Sequence, residues 1–236
     1  WATYEPDGST RLMTADEKSG HVPPMLRYWV HESEVDRKLQ GWDSEWFLGW
    51  RDITNATNER TVIATLVPRV AAGNQMPLAF PAKALSDIGL LQASWSSFAL
   101  DFVARQKTGG THMNFFIFEQ LPVPRPGSWV GAVGHQSWVT SRVELLNSWI
   151  ADSARRDRVR AEIDAYCFHV YGLKRDETAY VLDTFPIVKA KDIREFGEYL
   201  TKRLILEAYD AMQNAIDTGV QYQSPWDSES LDEENK

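Results

Sequence analysis

Four side chains that could read nucleic acid stand close together in the chain: Arg51, Asn55, Asn58 and Arg60. Arg and Asn carry paired hydrogen-bonding groups that match the edges of guanine and adenine. The intervening Thr54 and Thr57 are of a type that contacts phosphate. The same residues also build turns, and Arg51 could pair with Asp52 or Glu59. Scaffold, phosphate contact and base readout therefore all stay open for this string. A second candidate is the run Arg105, Gln106, Lys107, Thr108, Gly109, Gly110, Thr111 and His112. Its two cations and two hydroxyls surround a glycine pair whose amides can approach an anion. The competing reading is a capped helix end with basic residues opposing its dipole. The third candidate is the cluster Arg155, Arg156, Asp157, Arg158 and Arg160. On a helix Arg156 and Arg160 share a face suited to gripping a backbone, while Asp152, Asp157, Glu162 and Asp164 could absorb that charge in surface pairs.

Several other chemistries have no residues to carry them. The sequence holds no GxxxxGK[ST] or GxGxxG phosphate loop and no G-x-S-x-G elbow. The histidines His21, His31, His112, His135 and His169 form no H-E-x-x-H or H-x₃-H pair, and Cys167 is the single cysteine. No disulfide framework and no metal site is expected, and no catalytic residue is nominated. Pro6-Asp7 with Asp16-Glu17-Lys18 satisfies the loose PD…(D/E)xK pattern of metal-dependent nucleases. That chemistry would need Asp7, Asp16 and Lys18 gathered at a strand end, whereas the flanks are polar and turn-rich.

The elements that would position these groups can be read from periodicity. Residues 1–44 read as an irregular opening segment with a short helix over 25–40. In the middle, Trp46, Leu48 and Trp50 alternate, Thr61 to Val67 is a β-branched run, and Leu78 to Phe80 lies between prolines. Trp95, Phe98, Ala99, Phe102, Val103 and Gln106 form a helical stripe, with Ser94 as its expected cap and Gly109-Gly110 as its stop. Asn114 to Phe118 reads as a strand, and Pro122, Pro124 and Pro126 make 121–128 an extended exit. Helical stripes then follow: Val143, Leu146, Trp149 and Ile150, then Val159, Ile163, Tyr166, Cys167 and Val170. Asp176 could cap a short helix to Asp183, and Asp192 with Glu195 has the capping-box spacing for a last helix whose stripe runs from Ile193 to Ile216 and ends at Gly219. The expected fold is α+β: an irregular and partly helical 1–44, a strand-rich target-recognition-like 45–130, a helical 131–219 and an acidic, disordered 220–236.

Charge is distributed unevenly. The chain has 25 Lys+Arg against 33 Asp+Glu, a formal charge of −8, which argues against long-range attraction to DNA. The middle segment 45–130 alone is slightly basic, because much of the acid sits in the first 44 residues and in Asp227, Glu229, Asp232, Glu233 and Glu234. With 43% hydrophobic residues the chain can bury a core, and no apolar run reaches the about 18 residues of a membrane span. The start at Trp1, without a signal segment, suggests a piece of a longer cytoplasmic protein.

Two strings rise above this background: Trp46 to Ile63 (WFLGWRDITNATNERTVI) and Phe98 to Ile117 (FALDFVARQKTGGTHMNFFI), the latter closing with EQLPVP at 119–124. Together they resemble the C-terminal region of large bacterial restriction–modification adenine-N6 DNA methyltransferases, including the methylases of phage-defence systems. The helix–Gly-Gly–strand–LPVP succession is also similar to target-recognition domains of type I specificity subunits. Ala161 to Leu173, Val181 to Val188, Gly197 to Tyr199 and Thr201 to Arg203 resemble the tail of the same methylases, so the likeness spans about 45–212. The family's glycine-rich S-adenosylmethionine loop and its (Asn/Asp)-Pro-Pro-(Tyr/Phe) motif are absent; Pro23-Pro24 lies between Val22 and Met25.

The resemblance implies a DNA-recognition fragment without its own catalytic centre. It would position double-stranded DNA for an upstream methyltransferase domain of the same polypeptide, which would bind S-adenosylmethionine outside this chain. Loops at 69–90 or 127–140 would supply specificity. The alternative is a scaffold that docks partner subunits of a defence complex and touches DNA little.

Overall fold

The computed structural model describes residues 2–20, 22–39, 41–81, 88–148 and 152–226. His21, the 82–87 part of the expected specificity loop, the stripe positions Trp149 and Ile150, and the acidic 227–236 lie outside the described residues. The architecture is α+β, with strands in the N-terminal half and helices towards the C-terminus.

The chain opens with a hairpin of β1 (Ala2–Tyr4) and β2 (Thr10–Leu12), then α1 (Ala15–Ser19) and α2 (Glu32–Lys38). The helix expected over 25–40 forms only in its second half, where His31 caps it by accepting from the Ser33 amide. Residues 22–31, led by Pro23-Pro24, have no regular structure.

An antiparallel sheet follows, ordered β4-β3-β5, from β3 (Trp46–Trp50), β4 (Ala64–Pro68) and β5 (Leu78–Ala79). Leu48 is the register centre, opposite Leu66 on one side and Ala79 on the other. Alternation on β3 sends Phe47 to an aromatic group with Trp42 and Phe80, and Leu48 and Trp50 into the main sheet core. The strand expected from Thr61 starts three residues later, because the Thr61 and Val62 amides donate to the Asp101 carboxylate instead of a ladder.

Two helices, α3 (Ile88–Trp95) and α4 (Phe98–Lys107), divide what the sequence reads as one stripe. Ser97, not Ser94, caps α4 through the Leu100 amide; Ser94 lies within α3, its hydroxyl 2.7 Å from that of Tyr171. α3 lies so close to the next long helix that a Cβ at Gly89 would come within 2.7 Å of the Thr140 hydroxyl. Residues 114–118, expected as a strand, instead make the single helical turn α5 (Phe115–Phe118). The reason is the cap: the Asn114 side chain accepts from the Ile117 amide at 3.1 Å.

The helical part comprises α6 (Gln136–Asn147), α7 (Ser153–Val170), α8 (Arg175–Asp183), α9 (Pro186–Phe196) and α10 (Leu200–Thr218). The expected last helix is in fact α9 and α10, broken at Gly197, whose φ of +77° suits glycine. Asp192 does not cap the helix it stands in; its carboxylate accepts from the Thr201 amide of α10 at 2.6 Å. Asp176 likewise falls inside α8, which begins at Arg175 with the Glu177 carboxylate accepting from the Lys174 amide at 2.7 Å. Residues 220–226, read from sequence as the start of a disordered tail, fold back on the body. Tyr222 is buried, its amide bonded to Ala132 and its hydroxyl to Glu162.

The described residues form two cores. One joins α6 to α10, with Tyr166, Phe168, Leu182, Phe185 and Met212 at its centre. The other fills the space beneath the sheet with Leu48, Trp50, Met113, Phe118 and Leu121. α3 and α4 belong to both: Leu90, Phe98 and Ala99 face the first, and Trp95, Leu100 and Ala104 the second.

Candidate nucleic-acid interface

Asp101 organises the first candidate string. It projects from α4 with almost no exposure and accepts from the Thr61 amide through both oxygens, each at 3.0 Å. Arg60 and Arg105 flank the carboxylate at 3.4 and 3.8 Å. The Arg60 guanidinium lies 3.8 Å from the centre of the Phe98 ring and donates to the Ser96 carbonyl; that of Arg105 lies 4.1 Å from the centre of Phe185 and donates to the carbonyls of Asn58 and Glu59. Burial lowers the Arg105 pKa from its ordinary value, with Asp101 acting against that shift. Both arginines thus hold the loop before β4 against the helices, their donors directed inward.

The asparagines of this string serve the loop as well. The Asn55 side chain accepts from the amide and hydroxyl of Thr57, both at 2.8 Å, closing an Asx turn. Asn58 is exposed, with its amide group 3.5 Å from the Thr54 hydroxyl. Thr54 is buried and donates to the Thr61 carbonyl. Arg51 is the string's exposed cation.

The second candidate run is different. Beyond Arg105, the side chains of Gln106, Lys107, Thr111 and His112 and the glycines Gly109 and Gly110 face solvent, while Thr108 is buried and donates back to the Ala104 carbonyl. Neither glycine needs a left-handed backbone, and open space surrounds the position of a Cβ at each. His112 Nδ1 lies 2.6 Å from an Asp52 oxygen, and Ile53 bridges to His112. The loop is thereby tied to the residues that follow β3, bringing Arg51 and His112 to the same edge of the fold.

The third cluster is not a continuous cationic face. Arg156 turns back along α6, donating to the carbonyls of Leu146 and Ser148 at 3.0 and 3.5 Å, and so terminates that helix. Arg160 pairs with Asp157 at 3.7 Å. Both border a cleft of about 380 Å³ whose walls also include Arg60, Asp157, Asp164 and Lys191. Lys191 crosses its mouth to Glu59, Nζ to oxygen 3.3 Å. Deep in the wall, Asp164 accepts from the Phe98 amide at 2.7 Å; burial pushes its carboxyl up to about 6, with Arg60 pulling the other way. Acids and cations alternate along this cleft, so it offers no single-sign field to a phosphate backbone.

The structure therefore brings Arg60, Arg156 and Arg160 to one cleft, and places the 107–112 loop at the far end of α4, about 15 Å away for a helix of this length. Sequence reasoning missed Asp101, which fixes these arginines, and read Asp164 only as a surface partner of the arginine cluster, whereas it is buried and holds the start of α4. Asp101 did carry a signal: it interrupts an otherwise apolar stretch between Leu100 and Phe102, four residues before Arg105. It also missed Phe115 and Phe116, which a strand reading alternates between two faces but which the helical turn leaves 51% and 76% exposed. In the nuclease-like pattern, Glu17 is bound to Arg11 and to the Thr14 amide, Asp7 caps the Ser9 turn, and no group of three potential metal ligands occurs among the described residues. No helix among the described residues is long and apolar enough to cross a membrane. The chain matches no protein-family model, no curated protein and no solved structure.

Proposed function

We propose that this chain is the DNA-recognition, C-terminal portion of an adenine-specific DNA methyltransferase of a restriction or phage-defence system. It holds duplex DNA for a catalytic domain outside this sequence. The observation that carries the reading is the loop from Lys107 to His112. It is solvent-facing, anchored at both ends, and set in a stretch from 102 to 118 that contains no carboxylate. Lys107, Thr111, His112 and the glycine amides are the phosphate-contacting groups, with Arg51 beside them. Arg60, Arg105 and Arg156 support the frame. S-adenosylmethionine does not fit these residues. The chain has neither a glycine-rich loop of that family nor its (Asn/Asp)-Pro-Pro-(Tyr/Phe) motif to hold the cofactor. No methyl-transfer step is assigned to this chain.

Fluorescence anisotropy with labelled random-sequence duplex tests the reading. With Lys107 and Arg51 each on a phosphate, affinity falls about 12-fold between about 50 and 200 mM salt; for Lys107→Ala the same change is about 3- to 4-fold. Absence of binding at 50 mM overturns it. A second reading, a docking scaffold for defence-complex subunits, is favoured by one feature: Met25, Leu26, Tyr28, Trp29 and Val30 are all about half exposed or more along the irregular 22–31 segment. That reading expects no salt-dependent DNA affinity at all.

A further inference from the structure

We propose, resting on the DNA reading above, that Phe116 is a wedge whose ring stacks on a base at an opened step of the duplex. Phe116 is 76% exposed, so it adds little to the core that the rest of α5 serves through Phe118. Its backbone is held from several sides. Asn114 caps the turn, the Glu119 amide bonds the Phe115 carbonyl at 2.9 Å, and Gln120 donates to the Phe116 carbonyl at 2.8 Å. Beneath it runs an aromatic brace: Phe115 meets Trp50 edge to face at 5.1 Å, and Trp50 stacks on Phe118 at 3.9 Å. The side chain thus projects from a backbone held in place, which lowers the entropy lost on contact.

The same hydrogen bonds place a cation at its foot. Lys107 Nζ lies 3.3 Å from the Gln120 side-chain oxygen, and the other end of that amide holds the Phe116 carbonyl. A phosphate on Lys107 and the neighbouring loop would bring a base within reach of the ring. Rings on a cationic support are how sequence-tolerant base stacking is built, and apolar wedges enter duplex DNA at base steps. The first acid beyond this stretch is Glu119, at the C-cap of the turn three residues after Phe116.

The test compares the full chain on an intact duplex and on the same duplex with a single abasic site, where the step is already open. Phosphate number is nearly the same in both, so the preference isolates the stacking contribution. Wild type is expected to prefer the opened duplex about tenfold. Phe116→Ala, at a solvated position that leaves the fold intact by circular dichroism, loses that preference while its salt dependence stays unchanged, and Phe116→Trp keeps it. Equal preference in wild type and Phe116→Ala, with binding otherwise intact, overturns the wedge and leaves the DNA reading standing. Failure of wild type to bind either duplex overturns both.

Discussion

At the scale of single residues, the arginines nominated as donors to DNA divide by their partners rather than by their place in the sequence. Arg60 and Arg105 share Asp101, some forty positions from one of them and four from the other, and each lies on a phenyl ring of the helical part. A donor type can be read from sequence; the acid that will claim it cannot, when chain folding sets the distance. Asp164 shows the energetic side of such burial. Its folded pKa of about 6 lies above the ordinary carboxylate value, so the native state binds this proton more tightly than the unfolded chain does. Its effect on stability is therefore neutral at low pH and becomes a penalty as pH rises from about 4 through 6, approaching about 3 kcal/mol. Asn in its place still accepts the Phe98 amide without the charge. Asp164→Asn is expected to gain stability relative to wild type between pH 4 and 7, measured by urea unfolding at each pH. A pH-independent difference would mean that the acid is not held in this way.

At the scale of elements, the joint between α9 and α10 shows how a helix boundary is written in two places. Gly197 takes the left-handed backbone that ends α9, and Asp192 reaches across to the first turn of α10. Gly197→Ala is expected to cost about 1 kcal/mol, and Asp192→Ala about 1 to 2 kcal/mol, by loss of a charged acceptor at a helix start. Denaturant midpoints that do not move would show that the joint is held elsewhere. α10 was legible because it buries one stripe and wets the other; α7 was legible from the spacing of Val159, Ile163, Tyr166 and Cys167, although its residues 161–168 are buried on every side. The split joint was not, because Asp192 and Glu195 imitate a capping box one helix too early. α3 escaped notice for a different reason: nearly every one of its residues is buried, so no polar face marks the period. α5 was misread because Phe and Ile favour strands, and a single Asn cap outweighed that preference.

At the scale of the molecule, acid and base are arranged so that the net charge of −8 does not describe the 102–118 stretch, which carries only positive groups. That arrangement was visible in the sequence, whereas the inward turn of Arg60 and Arg156 was not. The helical core also supplies a built-in reporter. Cys167 is fully buried on α7, and burial pushes its thiol pKa up, so it has neither access nor thiolate. No reaction with a thiol reagent is expected in the native protein, and one equivalent on denaturation, at a rate set by opening of this core. Prompt labelling without denaturant would show that α7 is not packed as described. The double membership of α3 and α4 reaches further. On the DNA reading proposed above, this region would be a cassette to be cut from one enzyme and grafted onto another. Here a cut near residue 130 would strip α7 and α8 from Phe98 and leave Arg105 without Phe185, so a transplant that preserves the 107–116 surface has to carry the helices with it.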